Sequence, residues 1–269
     1  MPRFDTISFL SDYGLSDEFV GVCKAVIRRI APQVSVIDIC HEIPPHDVRA
    51  GSLALARAAQ YLPAGVVLGV VDPGVGSDRR ALAVEGVDGE SCFVGPDNGL
   101  LASAVAMTGG AGRAVSLTNE EYQLPAPGPT FAGRDIFAPA AAYLCAGVEL
   151  TELGEAIDPL TLLPSILPLT QDEDGKVVGE VLWVDRFGNV QLNVDPEELE
   201  PMGDAVTLRY GDQVRTAVRA ATYDELGPGQ IGLVVDSYGL VSVALARRSA
   251  ADELRLQAPT QISLEPAAG

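Results

Sequence analysis

Val66-Val-Leu-Gly-Val-Val-Asp-Pro-Gly-Val-Gly-Ser-Asp-Arg-Arg-Ala-Leu-Ala-Val84 is the stretch on which the fold turns. Its opening run, Val66 to Val71, is unbroken, apolar and mostly β-branched, as a strand buried on both faces requires. The run stops at Asp72. Pro73 cannot donate a ladder hydrogen bond, and Gly74 and Gly76 allow backbone conformations closed to other residues. A second apolar run, Ala81 to Val84, follows at once. A carboxylate therefore ends a buried strand, with Arg79 seven residues on across a glycine-rich turn. Taken alone, this is either a solvated surface pair or the kind of strand end where open α/β sheets bind ligands.

The flanking sequence repeats the theme. Thr6 to Leu10 reads as a short strand leading into Ser11-Asp-Tyr-Gly14. A helix is expected from Ser16, with Asp17 and Glu18 in its first turn, carrying Phe19, Val20, Cys23, Val26, Ile27 and Ile30 at helical spacing. Val34 to Ile39 is the next strand; a loop through His41 and His46 joins it to an Ala-rich helix from Asp47 to Tyr61. Beyond the central turn come a strand fragment at Cys92 to Gly95, the turn Pro96-Asp-Asn-Gly99, a helix from Leu100 to Met107 and a strand from Ala114 to Thr118. Strands and helices alternating in this way predict a doubly wound, mostly parallel sheet over residues 1–160. Four strand ends (Asp12, Cys40 to His46, Asp72, Asp97 to Asn98) then share one rim.

Residues 161–176 are expected to be a linker, because prolines interrupt Asp158 to Pro168 and the tract Asp172 to Gly175 is acidic. From 177 to 269 the pattern changes to short strands: Val177 to Val184, Val190 to Val194, Ala205 to Tyr210, Val214 to Arg219, Ile231 to Val235 and Leu240 to Leu245. These predict an all-β, barrel-like second domain, with a short helix near Ala250 to Leu254.

Composition removes several function classes. The net charge is −19, from 37 acidic against 18 basic residues, so a phosphate backbone would be repelled and nucleic acid is not an expected partner. No apolar run reaches the length of a membrane span, and no signal-peptide pattern is present, which makes a cytoplasmic location the expectation. Four scattered cysteines and two histidines predict buried thiols and no metal site. Dinucleotide, P-loop and nucleophile-elbow motifs are missing.

What remains is a set of turns in a particular order: Ser11-Asp-Tyr-Gly, Asp72-Pro-Gly-Val-Gly-Ser-Asp-Arg, Gly95-Pro-Asp-Asn-Gly, Thr130-Phe-Ala-Gly-Arg-Asp and Asp185-Arg-Phe-Gly-Asn189. Together they resemble the S-adenosyl-L-methionine (SAM) hydroxide adenosyltransferase family, the adenosine-forming SAM hydrolases, which is related to the SAM-dependent fluorinase and chlorinase. The resemblance runs from Ile7 to about Arg247. It implies an α/β domain, a barrel-like domain, and a homotrimer with sites between neighbouring subunits, acting on SAM with no cofactor.

The resemblance also implies roles. Asp12 takes both ribose hydroxyls, as one carboxylate can, although an Asp before a turn glycine also has a structural use. Asp17 lies near the methionine amino group, or simply serves a helix first turn. Thr130, Phe131 and Gly133 contact substrate. Asp185 and Ser237 hold the methionine amino acid group. Phe187 packs on adenine, or alternatively in a core, and Asn189 reads the adenine edge. Tyr238 and Arg247 lie in the segments lining the two ends of the ligand. Asp72 and Arg79 match two members of the group that positions and activates water. Halogenases carry a non-acidic residue at the first of these positions and lack the arginine.

The third member departs from the pattern. The family reads Thr-Phe-His-Gly-Arg-Asp, and this chain has Ala132 where the histidine stands. An intact motif around one alanine reads as a truncation, either engineered or in a natural member with altered activity. Slowed hydrolysis with retained binding is the expectation. A chlorinase-like enzyme and a binding-only SAM sensor or sequestering protein are the alternatives.

Overall fold

The computed structural model describes residues 3–267 and divides into two compact units, the first ending at Ile166 and the second beginning at Leu167. In the first unit, β1 (Thr6–Ser11), β2 (Ser35–Cys40), β3 (Gly65–Val70), β4 (Ala81–Gly86), β5 (Ser91–Pro96), β6 (Ala111–Ser116) and β7 (Glu155–Ile157) form one sheet in the order β2-β1-β3-β5-β4-β6-β7. The four strands β2, β1, β3 and β5 are parallel; β4, β6 and β7 join antiparallel. Helices α1 (Phe19–Ile30) and α4 (Ala138–Ala146) pack together, as do α2 (Val48–Ala59) and α3 (Ala102–Met107).

The apolar run of β3 serves both layers. Val66, Leu68 and Val70 enter the core with Cys23, Ile27 and Leu144 of α1 and α4. Gly69 faces the other way, where an added Cβ would press on Leu55, Leu100 and Leu101. Alternate residues of one strand thus seal against both helical layers, which is why the run carries no polar residue.

Parallel strands bring their carboxyl ends to one edge, so the ends of β1, β2, β3 and β5 do lie on a common rim. Hydrogen bonds lace that rim together: Asp12 N–H donates to Val70 O at 3.2 Å, Gly14 N–H to His41 O at 2.7 Å and Asn98 Nδ2 to Val71 O at 2.9 Å. His41 is a bridge between strands; its ring meets Ser11 Oγ at 2.8 Å and Asp38 Oδ1 at 3.0 Å.

Two local expectations need correction. Helix α1 begins at Phe19, not Ser16; its N-cap Glu18 makes no side-chain cap bond, and Asp17 lies ahead of the helix. Ser16 has the right chemistry for a cap, but the preceding Gly14 (φ +67°) turns the chain across the rim before the helix starts. The second correction concerns Cys40, which is partly exposed. Cys23, Cys92 and Cys145 are buried, and burial pushes each thiol up to about 12.

The second unit is a closed barrel. Strands β9 (Lys176–Val184), β10 (Val190–Leu192), β11 (Ala205–Tyr210), β12 (Gln213–Ala220), β13 (Ile231–Val235), β14 (Val241–Leu245) and β15 (Gln261–Pro266) run in the order β10-β14-β13-β12-β11-β15-β9, and β9 pairs back onto β10. A further strand, β8 (Gln171–Glu173), forms a hairpin with β9 through Asp174 and Gly175, both at positive φ. The acidic tract read as part of a linker is exposed and forms this hairpin. Strand β15 has only Ile262 and Leu264 to signal it, yet both are fully in the core and the barrel cannot close without it. Helix α5 (Ala250–Leu254) falls where expected, capped by Ser249.

Among the described residues no helix is long and apolar enough to cross a membrane.

One ion cluster ties the first unit together and makes a pH prediction. Glu85, buried on β4, accepts from Arg113 Nε at 2.5 Å and also pairs with Arg3. The Arg113 hydrogen bond, helped by Arg3, holds the Glu85 carboxyl below its usual range. A lowered folded value means stability that is full above the ordinary glutamate value and lost as pH falls through the folded one. Glu85→Gln is expected to lower Tm by about 3 °C at neutral pH and to flatten the acid limb below about pH 4.5. A thermal-unfolding series against pH checks this; an acid limb as steep as the parent's contradicts it.

Candidate active site

The turn after β3 builds its own scaffold. Val75 N–H donates to Asp72 O at 3.2 Å, Ser77 N–H to Gly74 O at 3.0 Å, and Gly76 takes φ +78°. This brings Arg79 back over Asp72. Arg79 Nε lies 2.8 and 3.0 Å from the two carboxylate oxygens, and Nη2 lies 2.5 Å from Oδ2. The side chains are only 6% and 14% exposed, and the guanidinium lies over the Phe137 ring at 5.1 Å from its centroid. A solvated surface pair is excluded by this burial. The geometry is a forked, charge-assisted contact that fixes both groups.

Arg79 and Ala132 line one cavity of about 830 Å³, together with Ser77, Asp78, Thr118 and Gln123. Ala132 is 6% exposed and opens a short π-helical turn, Gly133–Phe137, that runs directly into α4. Gly133 is required there, because a Cβ would collide with the Tyr13 hydroxyl. Arg134 folds back on Asp135, 2.6 Å from Nε to Oδ1, and stacks over Phe131.

A second cavity of about 560 Å³ shares Gly128 with the first and contains Thr130, Phe131, Arg134, Tyr13 and Phe19. Its wall is an aromatic triangle: Tyr13–Phe19 and Tyr13–Phe131 centroids are 5.6 Å apart and Phe19–Phe131 5.1 Å. Burial pushes the Tyr13 phenol far up, and the neighbouring Cys23, Asp12 and Asp72 add to this, so it stays a neutral hydroxyl. Tyr13 and Phe19 were not singled out in the sequence, where they read as a turn residue and a helix core position.

Asp12 and Asp72 line neither cavity directly. Asp12 Oδ2 accepts the His46 backbone N–H at 2.9 Å, which orients the carboxylate on the rim. Asp17 is exposed and lines neither cavity.

In the barrel unit, Phe187, Asn189 and Arg247 line a cavity of about 480 Å³ with Tyr223, Leu245, Arg248 and Ser249. Phe187 is 78% exposed, which excludes the core-packing reading. Asp185 organises the turn: Oδ1 accepts from the Phe187 and Asn189 N–H groups at 2.8 Å, and Oδ2 from Asn189 Nδ2 at 2.8 Å. One N–H of the Asn189 amide is engaged there, which sets its direction. Gly188 has φ +81° and sits against Ser249, so the turn is seated on the start of α5. Ser237 and Tyr238 do not join this cavity. They lie in the turn before β14, built by Asp236 in the same manner, with Tyr238 N–H to Asp236 Oδ1 at 2.8 Å.

Among the described residues, no group of three or more His, Cys, Asp or Glu is placed to hold a metal ion.

A parallel-rich α/β unit with a fixed carboxylate–guanidinium pair at its rim, followed along the chain by a seven-strand barrel, is a two-unit α/β-plus-barrel architecture with a matching family. Residues 7–154 match the SAM hydroxide adenosyltransferase N-terminal domain and residues 179–263 its C-terminal domain. The chain belongs to this family. It is 47% identical to an (R)-S-adenosyl-L-methionine hydrolase of Salinispora tropica, over 92% of this chain and 93% of that protein. A fluorinase of Nocardia brasiliensis is more distant, 28% identical over 98% and 97% of the two chains. Among solved structures, an uncharacterized conserved protein from Thermotoga maritima superposes with a TM-score of 0.87 at 35% identity, covering 96% of this chain and 99% of that one.

Proposed function

We propose that the protein hydrolyses SAM to adenosine and L-methionine. The oxygen of water or hydroxide forms a bond to C5′, the C5′–S bond breaks with its electron pair going to sulfur, and one proton is released. The positively charged sulfonium makes the neutral methionine thioether a good leaving group, so the reaction as written needs no cofactor. The protein must aim the oxygen in line and assist loss of its proton. The observation that carries this reading is the forked Asp72–Arg79 pair beside the cavity at Ala132.

In this reading Asp12 accepts the ribose diol, Thr130, Phe131 and Gly133 contact substrate, and Phe187 and Asn189 meet the adenine. Asp185, Ser237, Tyr238 and Arg247 serve the ligand ends, and Asp17 serves the methionine amino group. The assembly is a homotrimer with sites between neighbouring subunits, in the cytoplasm, with neither nucleic acid nor membrane as partner. Ala132 supplies no proton acceptor where the family pattern has histidine, so hydrolysis is slowed and binding largely kept. That same residue favours one second reading, a protein that binds SAM without turning it over. Halide chemistry is disfavoured by a carboxylate at position 72.

Calorimetric titration with SAM, paired with chromatography of long incubations with and without chloride, tests these readings. Adenosine and methionine are the expected products. Binding heat with unchanged ligand supports the binding-only reading, 5′-chloro-adenosine a halogenase, and no binding at all ends the proposal.

A further inference from the structure

The turn Gly95-Pro-Asp-Asn-Gly99 takes no part in the reaction as described, yet the strand order gives it a particular place. Strands β3 and β4 are consecutive in the chain but not neighbours in the sheet, because β5 lies between them. Residues 71–80 must therefore arch over the carboxyl end of β5. The residues directly beneath the arch are Asp97 and Asn98.

Each holds one leg of it. Asn98 Nδ2 donates to the carbonyl of Val71, the residue before Asp72, at 2.9 Å. Its Oδ1 accepts the Leu100 N–H at 3.1 Å, so the amide is fixed at both ends. Asp97, only 5% exposed, accepts from Arg80, the residue after Arg79: Nε lies 2.8 Å from Oδ2, and the Asp97 N–H donates to Arg80 O at 2.9 Å. Arg80 and Asp97 are in turn tied to the segment ahead of Ile166, through Arg80 Nη2 to Thr161 O at 2.6 Å and Leu163 N–H to Asp97 Oδ1 at 2.9 Å. The two arginines divide the work, Arg79 turning in to Asp72 and Arg80 turning down to Asp97.

We propose that Asp97 and Asn98 are positioning residues that set the span of the arch and thereby the placement of the Asp72–Arg79 pair. The inference rests on the reading of that pair as the water-handling group. In-line attack is sensitive to displacements on the order of 1 Å, so a slack arch lowers turnover more than it lowers binding.

Asn98→Asp separates bracing from a local structural role. It keeps the oxygen that caps Leu100 and removes the donor to Val71, whereas Asn98→Ala removes both. Asp97→Asn loosens the other leg. With folding verified by thermal melts, both Asn98 variants are expected to raise amide hydrogen exchange at Val75 and Ser77 about tenfold, with β1 amides unchanged. They are also expected to lower kcat for adenosine release about tenfold, with KM within about twofold of the parent. Parent-like exchange and kcat in Asn98→Asp overturns the proposal. Asp72→Asn, measured alongside, keeps the two ideas apart. If it releases adenosine at the parent rate, the reading of the pair fails, and the arch is then judged on exchange alone.

Discussion

Ala132→His raises the rate of adenosine release about a hundredfold, while KM for SAM stays within about threefold of the parent. The expectation comes from where the side chain goes. Ala132 is buried at the edge of the core yet lines a cavity of about 830 Å³ that also borders Arg79, and that cavity is the space an imidazole would take. The π-helical turn that follows, and Gly133 against Tyr13, fix the backbone from which it projects. A positioned base contributes typically 10²–10⁴-fold, and the lower end suits a group added to a site that already binds and orients its substrate. Adenosine release followed by chromatography under saturating SAM checks it. An unchanged rate would show that the space beside Arg79 needs no histidine and that the slowed-hydrolysis reading is wrong.

Much of the first unit was legible because burial on both faces leaves a plain signature. Val66 to Val71 could be little else than a central strand, and its abrupt end at Asp72 marked the rim. The ends at Asp12, His46 and Asn98 followed once parallel strands were expected, since parallel pairing forces their carboxyl ends together. What escaped depends on contacts between residues far apart in sequence. Nothing local says that β5 inserts between β3 and β4, so the arch over Asp97 and Asn98 was invisible. The aromatic triangle of Tyr13, Phe19 and Phe131 joins three segments, and Phe19 fits a helical core pattern equally well. Strand β15 offered two apolar residues between prolines, too short an alternation to register. In the barrel, the turn residues Asp185 and Asn189 were recognisable by type. That Asp185 spends both its oxygens on the turn, aiming Asn189, could only be seen in the fold.

Asp72→Asn is the most severe change expected of a single atom, and its interpretation needs a second variant. The pair is nearly out of solvent, so removing one charge leaves the Arg79 guanidinium buried beside Phe137 with an amide N–H directed at it. Breaking a buried pair costs about 3 kcal/mol, or roughly 10 °C in Tm for a unit of this size. Turnover is expected to fall about a thousandfold with SAM binding retained, because in the proposed function the carboxylate acts on the attacking oxygen and not on the bound nucleoside. A loss of stability alone could mimic a loss of activity. Asp72→Asn combined with Arg79→Gln removes the stranded charge and lets two amides pair, so it should recover most of the lost Tm. Because the double variant still has no carboxylate to aim water, its kcat should stay as low as that of Asp72→Asn. Recovery of both Tm and kcat would make the pair a structural clasp; recovery of Tm alone assigns it to the chemistry.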